Sequence, residues 1–556
     1  MAGPVSIAPF AVEMQPHLIA LPVLIPLLAG ALAAVVGGYS RGLSRTIGLL
    51  AALSHVTVSL LLLTSVQSGE VEVYSMSNWA APFGIVLVLD RLSALMLVLT
   101  STLALIGLLY ANAAWADQGR RFQALWQFQL MGLSGAFLTG DLFNLFVFFE
   151  VLLAASYALL LHGGGRSRVG STFHFVVVNL TASSVFLVAV ALLYSVTGTL
   201  NMAHLALSIE QIPPQDIGLV AVAGILLLTV FLIKSGLAPF HFWVPASYGS
   251  AAAPVVALIV AKVGAYAILR VFPLLFGADA GALSELARPW VLTLAMLTLL
   301  IGSAGTLASQ TLRQLAATLT LVSIGTLFVP LAVGSPESLS AATFYMVHST
   351  IATATLFLVA EWVGTHRGKR GDRLQPGQAI SHPILIGGAL LWAMITSVGL
   401  PPTSGFIGKI LVLDSLMAFE GAGWLWAAIL FSSFCSLVAV SRALSVLLWN
   451  HADEVPDDPE AQSHWGSQEH LLTPVQSADG RAIGALIATA MVLLLSLAIV
   501  VFAGPLKTET EKLAGQIKDR HGYTGAVLKR SQAFEPIVRP SPAQRGTASA
   551  GSGGSQ

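Results

Sequence analysis

Apolar runs long enough to cross a membrane recur along almost the whole chain. Crossing the hydrocarbon core of a bilayer takes about 20 apolar residues, and such runs follow one another from Leu18 to Ala503. This pattern predicts an all-α polytopic membrane protein with about fourteen transmembrane helices. The spans are expected near residues 17–37, 45–65, 85–110, 122–140, 142–162, 172–196, 216–248, 254–275, 288–308, 313–333, 340–362, 383–419, 423–449 and 482–504.

Basic residues are distributed unevenly between alternate connections. Odd-numbered loops hold most of the Lys and Arg, including a cluster at 367–373, whereas even-numbered loops hold only Arg270 and Arg288. Because Lys and Arg favour the cytoplasmic side, we expect the odd loops to face the cytoplasm and both termini to face outward. The tail after Leu506 does not fit this rule, since it carries eight Lys or Arg residues. The two surfaces are called here the odd-loop face and the even-loop face.

Two predicted spans are interrupted by Pro and Gly, with a lysine beside each break. In FLIKSGLAPFHFWVPASYG, Lys234 precedes the prolines, whereas in GLPPTSGFIGK, Lys409 follows them. An inverted structural repeat produces this reversed order, and paired interruptions point to a transport site. The alternative is that Pro and Gly only kink two helices, which is common in membranes. The expected hinges are Gly236, Pro239, Pro245, Gly399, Pro401, Pro402 and Gly405.

The breaks suggest how the chain is divided. Two repeats of five helices are expected, each containing one broken helix, and they are preceded by three helices and followed by one. The predicted units are 1–121 with spans one to three, 122–275 and 288–449 as the repeats, an acidic cytoplasmic loop at 450–481, span fourteen at 482–504, and a polar, partly disordered tail at 505–556.

Three ionisable residues are expected at mid-membrane depth. Glu150 lies eight residues into span five, or roughly 12 Å from the helix start at 1.5 Å per residue, and Lys262 and His348 lie equally deep in spans eight and eleven. A charge at a helix centre costs on the order of 2.5–3.5 kcal/mol. Such residues are therefore candidates for a proton path formed by Glu150, Lys234, Lys262, His348 and Lys409.

Each candidate also has a purely structural interpretation. Glu150 and Lys234 could form a packing ion pair, although apolar residues would pack as well. Lys262 could extend its ammonium to an interface, and His348 could be a hydrogen-bonded core residue. Asp90, Arg91, Glu361 and Asp414 lie near span ends, where exposure explains them; Asp141 also lies there, but is kept as a possible residue on the side where ions enter.

Composition narrows the chemistry. The chain is 55% hydrophobic and 10% charged, with 27 basic and 27 acidic residues, so nothing indicates a nucleic-acid partner. The single cysteine, Cys435, excludes disulfides, iron–sulfur clusters and cysteine-based zinc sites within the chain. No nucleotide-binding loop or soluble catalytic constellation is visible. We therefore expect a transporter component without cofactors and not an enzyme. The first run, Leu18–Val36, lacks the basic segment of a signal peptide and is taken as a span.

Four motifs together resemble a known family. GDLFNLFVFFEVL, LIKSGLAPFHFWVPASYGSA, KVGAYAILR and GLPPTSGFIGK are similar to the antiporter-like membrane subunits of respiratory complex I, membrane-bound hydrogenases and Mrp-type multisubunit Na+/H+ antiporters. The greatest similarity is to the D subunit of the Mrp type. Complex I relatives often have His at position 262 and a further Lys where this chain has Ala352. These departures, and the lack of the long C-terminal membrane region found in the Mrp A subunit, favour the Mrp interpretation.

The resemblance implies fourteen helices, inverted repeats and proton-path roles for Glu150, Lys234, Lys262 and Lys409. It also implies that the A, B, C, E, F and G subunits of such a complex are partners, that H+ and Na+ are exchanged, and that the protein is located in the bacterial cytoplasmic (inner) membrane. Two alternatives stay open. One is a proton-pumping subunit in the membrane arm of a redox-driven complex, and the other is a passive scaffold for a transporting partner.

Overall fold

The helices follow the predicted spans closely. The computed structural model describes residues 16–76, 79, 84–116, 119–259, 262–367, 370–380, 382–450 and 479–530. The helices in chain order are α1 (Leu21–Val36), α2 (Arg41–Ser65), α3 (Arg91–Ala114), α4 (Phe122–Leu138), α5 (Leu142–Leu160), α6 (Arg166–Thr197), α7 (Met202–Glu210), α8 (Ile217–Ser235), α9 (Trp243–Ser250), α10 (Ala253–Ile259), α11 (Val263–Leu275), α12 (Arg288–Ala308), α13 (Leu312–Val333), α14 (Pro336–Thr365), α15 (Pro383–Val398), α16 (Ser404–Ser415), α17 (Ala422–Leu448), α18 (Asp479–Val501), α19 (Ala503–Lys518) and α20 (Arg520–Arg530).

Twelve segments of the described residues are long and apolar enough to cross a membrane. The two other expected spans are also helical: α4 has 17 residues, and α15 and α16 form the interrupted twelfth span. The prediction of an all-α polytopic membrane protein is therefore confirmed. The central spans α13 and α14 each contain a stretch of 18 residues that is buried throughout, which places most polar residues of α14 inside protein and away from lipid.

Helix ends are specified locally. Side chains of Ser40, Asp90, Asp141 and Asn201 each accept a hydrogen bond from a backbone N–H in the first turn of the helix that follows, and such caps contribute about 1 kcal/mol each. Between α2 and α3 the chain forms an antiparallel hairpin. Its strands are β1 (Glu72–Ser75) and β2 (Val86–Leu89), with Glu72 opposite Leu89.

The C-terminal segment is folded where the structure describes it. A polar tail was expected from residue 505, but residues 503–530 form α19 and α20. Leu513, Ala514, Tyr523 and Val527 are buried, so each helix has an apolar face that the polar composition concealed. Residues 531–556, and nearly all of the acidic loop expected at 450–481, lie outside the described residues.

Both C-terminal helices pack on the even-loop face. Glu509 of α19 pairs with Arg91 at 2.6 Å, and Arg520 of α20 lies 3.3 Å from Glu210 and 3.2 Å from Asp279. Those partners follow spans two, six and eight, which all end on this face. The position of α19 after span fourteen is therefore consistent with an even number of crossings.

A buried ion pair holds the connection before α15. Arg313, at the start of α13, bonds Asp372 at 3.0 Å, and both side chains are less than one-tenth exposed. The backbone N–H groups of Leu312 and Arg313 also donate to Asp372, at 2.7 Å to its carbonyl and 3.2 Å to its carboxylate. The segment after α14 is thereby fixed to the odd-loop end of α13.

We expect Asp372→Ala to destabilise the protein because it leaves the Arg313 charge buried without its partner, a change that typically costs about 3–5 kcal/mol. Thermal unfolding of the purified protein in detergent measures the effect as a lower Tm. The control is Lys507→Ala, which removes the exposed Lys507–Glu511 pair and should leave the Tm nearly unchanged, since exposed pairs contribute ~0–1 kcal/mol. Equal Tm values for the two variants would contradict this assignment.

Candidate functional site

The first predicted break lies between α8 and α9. Gly236 ends α8 in the left-handed conformation, with φ +73°, and Pro239 lies in the turn that follows. Groups freed by the break are satisfied by protein: Trp243 Nε1 donates to the carbonyl of Ile233 at 3.1 Å, and Ala238 N donates to Thr298 at 2.9 Å. This is the condition under which irregular backbone is tolerated at membrane depth.

Pro245 does not interrupt a helix. It is the third residue of α9, in the first turn, where proline costs no hydrogen bond because the N–H groups there have no intrahelical partner. The interruption is therefore confined to Gly236–Phe242, and Lys234 lies in the last turn of α8 directly before it.

The second break lies between α15 and α16. Gly399 ends α15 in the left-handed conformation, with φ +84°, and Pro401 and Pro402 follow before α16 begins at Ser404. Lys409 reaches back to this break, where its ammonium donates to the carbonyl of Val398 at 2.6 Å. It also donates to Ser433 at 2.7 Å. The structure thus shows the reversed order, in which the lysine precedes the first break and follows the second.

Gly405 lies in the first turn of α16 and not in the break itself. A Cβ at this position would lie 2.2 Å from the carbonyl oxygen of Thr396 and 3.1 Å from Cε1 of His348. Glycine is therefore required for the close approach of α16 to α15 and α14. The same approach brings Ser404 to His348, whose Nδ1 lies 2.9 Å from the serine hydroxyl.

A third irregularity, not predicted from the sequence, occurs at Lys262. Helix α11 begins at Val263, and Lys262, the residue directly before it, has φ +55° and ψ +35°. A left-handed conformation is uncommon for a residue other than glycine. The predicted span at 254–275 is therefore irregular at Lys262, directly before α11.

Glu150 and Lys234 are neighbours but do not bond directly. Ser183 of α6 donates a short hydrogen bond to the Glu150 carboxylate. The Lys234 ammonium has no hydrogen-bond partner among the described residues and lies 5.0 Å from the centroid of the Phe149 ring, within the ~6 Å range of cation–π attraction. A tight packing ion pair between these two residues is therefore not observed.

Lys234 and Lys262 line one internal cavity of about 60 Å³. A cavity needs roughly 10–15 Å³ to hold one water, together with polar partners for it, so this cavity has room for several. Its other polar lining comes from the side chains of Gln129, Ser156, Asn179, Ser235, Tyr248 and Thr320.

A smaller cavity of about 10 Å³ continues toward the second break. Thr320 lines both cavities. Lys262 donates to Ser323 at 3.2 Å, and Ser323 lines the smaller cavity together with His348. Ala352 lines it as well, and its small side chain leaves this space open. The order of polar groups is thus Lys234, Lys262, Ser323, His348, Ser404 and Lys409.

The residues near span ends differ in their surroundings. Asp414 is exposed, as expected, whereas Asp90, Asp141 and Glu361 are each less than one-tenth exposed. Asp141 caps α5 at the even-loop face, and the structure does not bring it to the two cavities. Glu361 accepts hydrogen bonds from Trp115 and from Ala253 N, the latter at 2.9 Å. The span was predicted to end at residue 362, which placed Glu361 near its end. Helix α14 continues to Thr365, so Glu361 lies inside the helix.

Comparison with known proteins places the fold and these motifs in one family. The sequence profile described as "NADH:quinone oxidoreductase/Mrp antiporter, TM" matches residues 139–436, which include both breaks and every lysine of the site. The chain belongs to this family. A relative from Rhizobium meliloti, named as the D subunit of a probable K(+)/H(+) antiporter, is 40% identical over 461 residues, covering 77% of this chain and 86% of the relative.

Other relatives in the NADH:quinone oxidoreductase/Mrp antiporter family match over greater lengths. The Na(+)/H(+) antiporter D subunit of Alkalihalophilus pseudofirmus is 32% identical over 519 residues, covering 92% of this chain and 99% of the relative. A chain of the Mrp complex from Dietzia sp. superposes with a TM-score of 0.79 at 27% identity, covering 92% of this chain and 99% of that one. A chain of respiratory complex I from Thermus thermophilus gives a TM-score of 0.69 at 26% identity, with 90% and 99% covered.

We expect Gly405→Ala to destabilise the second break, because overpacking against Thr396 and His348 typically costs about 1–3 kcal/mol. The readout is the Tm of the purified protein, together with the yield of folded protein. Gly388→Ala is the matched control, since Gly388 lies in α15 with no atom within 4 Å of the added Cβ. A Tm for Gly405→Ala equal to that of Gly388→Ala would show that the approach of α16 tolerates a side chain.

Proposed function

We propose that this chain is the proton-translocating membrane subunit of a multisubunit monovalent cation (Na+)/H+ antiporter. The observation that carries the proposal is the succession of lysine, histidine and hydroxyl groups that connects the two broken helices through two internal cavities. The family assignment supports it, because relatives across nearly the whole chain are named as antiporter D subunits.

Proton movement in the first half depends on the larger cavity. Water held by Gln129, Asn179 and Thr320 can hydrogen-bond to both Lys234 and Lys262, so a proton released by one ammonium can reach the other amine. Lys234 is suited to release because no protein acceptor among the described residues holds its ammonium.

Glu150 acts on Lys234 through its charge. A nearby carboxylate favours the protonated form of a buried lysine, whereas burial alone disfavours it. Ser183 holds the carboxylate in place. A small displacement of Glu150 relative to Lys234 therefore changes how tightly Lys234 holds its proton.

The second half runs from Lys262 to Lys409. Ser323 receives the hydrogen bond of Lys262 and lines the smaller cavity, which has room for about one water and borders His348. His348 bonds Ser404, one turn before Lys409 on α16. The Lys409 ammonium is held by Val398 and Ser433, and its release from these acceptors is the step that frees the proton at this end.

Further parts of the proposal follow from the relatives. Partner subunits of the A, B, C, E, F and G types would complete the complex in the bacterial cytoplasmic membrane, with residues 122–275 and 288–449 as inverted repeats. The exchanged cation is proposed to be Na+; the relatives are named for both Na+ and K+. The second candidate function is that of a subunit in a redox-driven proton pump, which the likeness to a complex I chain favours. Ion exchange by a complex lacking redox subunits would exclude it.

We expect Lys234→Ala and Lys409→Ala each to abolish cation-driven proton movement, because each removes the only lysine at its break. The assay uses everted membrane vesicles that contain the complete complex, with a pH-sensitive dye reporting proton flux after addition of Na+ or K+. Lys507→Ala, a change at an exposed lysine, is the control and should retain full flux. Full flux in both test variants would refute the proton path and favour a passive scaffold.

We expect Ala352→Leu to block flux through the second half, because the larger side chain fills the cavity of about 10 Å³ beside His348. The same vesicle assay measures the loss, and the amount of assembled complex is measured in parallel. Ala427→Leu makes the same change at an exposed position of α17 and should have no effect. Unchanged flux in assembled Ala352→Leu complexes would exclude this cavity from the path.

A further inference from the structure

A second line of polar groups leaves Lys262 and follows α11 toward the even-loop face. Tyr266 lies one turn beyond Lys262, and its backbone N–H donates to the Lys262 carbonyl at 3.0 Å. The Tyr266 hydroxyl donates to the carbonyl of Phe137 at 2.6 Å. One turn further, Arg270 Nε donates to the Tyr266 hydroxyl at 3.3 Å. Tyr266 and Arg270 therefore lie on successive turns of one face of α11, and Lys262 directly precedes that helix.

Arg270 ends this line in a buried ion pair. Its two terminal nitrogens bond the Asp90 carboxylate at 2.6 and 2.7 Å, and Ser93 adds a bond to Asp90 at 2.7 Å. Asp90 is 3% exposed and Arg270 is 7% exposed. Packing alone does not require such a pair, because apolar residues of similar volume often stabilise a protein as well or better.

The C-terminal helix α20 covers this pair. The Tyr523 ring centroid lies 5.4 Å from Cζ of Arg270. The Tyr523 hydroxyl is buried and has no hydrogen-bond partner among the described residues. It lies against Gly140, the residue directly before Asp141, at 3.4 Å from the position that a Cβ on residue 140 would occupy. Leaving a buried hydroxyl unpaired is unfavourable, so its retention points to a water molecule as its partner.

A connection to the surface begins at the same place. Arg91 follows Asp90 in the chain and pairs with Glu509 of α19, whose side chain is 48% exposed. Burial raises the pKa of Tyr523 above its ordinary value, so this hydroxyl keeps its proton at neutral pH. The contacts from Tyr266 to Glu509 thus lead from the first turn after Lys262 to the even-loop face.

We propose that Tyr266, the Asp90–Arg270 pair and Tyr523 form a proton-access branch between Lys262 and the even-loop face, closed at its outer end by the C-terminal helices. The branch rests on the proposed function, since it supplies protons to that path or removes them from it. It meets the succession of groups between the two broken helices only at Lys262.

Transfer along the branch leaves both tyrosines neutral and protonates Lys262. A proton arriving from water binds the Tyr523 oxygen as the proton of that hydroxyl leaves to an inner water; this water protonates the Tyr266 oxygen, and the original Tyr266 proton passes through water to the Lys262 amine. The Tyr266 hydroxyl must rotate away from Phe137 during transfer. The Asp90–Arg270 pair remains ionised throughout and holds the two hydroxyls in line.

The test uses Tyr266→Phe and Tyr523→Phe in the complete complex, because each variant removes one hydroxyl and retains the ring and the Asp90–Arg270 pair. We expect proton flux in vesicles to fall by ~100-fold in both variants, the lower end of what a positioned proton-transfer group contributes. Assembly should be retained in both, and the Tm should be unchanged in Tyr523→Phe, because the Tyr523 hydroxyl has no hydrogen-bond partner among the described residues. Tyr194→Phe is the matched control, since Tyr194 is half-exposed on α6 and should keep full flux.

Lys234→Ala, measured beside these variants, distinguishes the two proposals. An inactive Lys234→Ala with full flux in Tyr266→Phe and Tyr523→Phe overturns the branch and leaves the proposed function intact. An active Lys234→Ala overturns both. A fall in flux accompanied by a matching fall in Tm for both tyrosine variants assigns them a packing role and also overturns the branch.

Discussion

The site depends on one constraint: at membrane depth, each backbone group freed from a helix needs a partner within the protein. Both broken helices meet it with specific side chains. Trp243 and Thr298 bond the groups freed at the first break, and Lys409 itself bonds the carbonyl freed at the second. The hydrogen bond to this carbonyl also holds Lys409 at the break. At the second break, the interruption of the helix and the position of the charge therefore depend on each other.

The buried polar side chains form a connected path because each cavity is lined by residues from several helices. Thr320 and Ser323 of α13 contact both sides of the centre, where Lys262 directly precedes α11. Helices α13 and α14 contribute Thr320, Ser323, Ser349 and Thr353 to the cavity linings. The core of both helices is buried inside the protein, and several of their hydroxyls donate to a backbone carbonyl one turn earlier in the same helix.

Much of the fold was predictable because span length and apolar composition reflect the bilayer directly. Lys234, Lys409 and the prolines were recognisable for the same reason, since charge and proline are rare in such runs. The left-handed backbone at Lys262 was not predictable, because neither proline nor glycine precedes it between Val255 and Ala261. The burial of Asp90 and Glu361 was missed because sequence position near a span end does not reveal which tertiary partner covers a residue. The helices α19 and α20 were missed because their apolar residues are few and separated.

The two lysines at the breaks share an electrostatic setting despite their reversed order. Lys234 lies in the last turn of α8, and Lys409 bonds the last carbonyl of α15, so each is beside the C-terminal end of a half-helix. The macrodipole gives that end a partial negative charge worth about 0.3–1 kcal/mol to a cation. At each break this half-helix end therefore favours the protonated form of the adjacent lysine before any acidic side chain acts, so part of the electrostatic stabilisation of both lysines comes from the backbone.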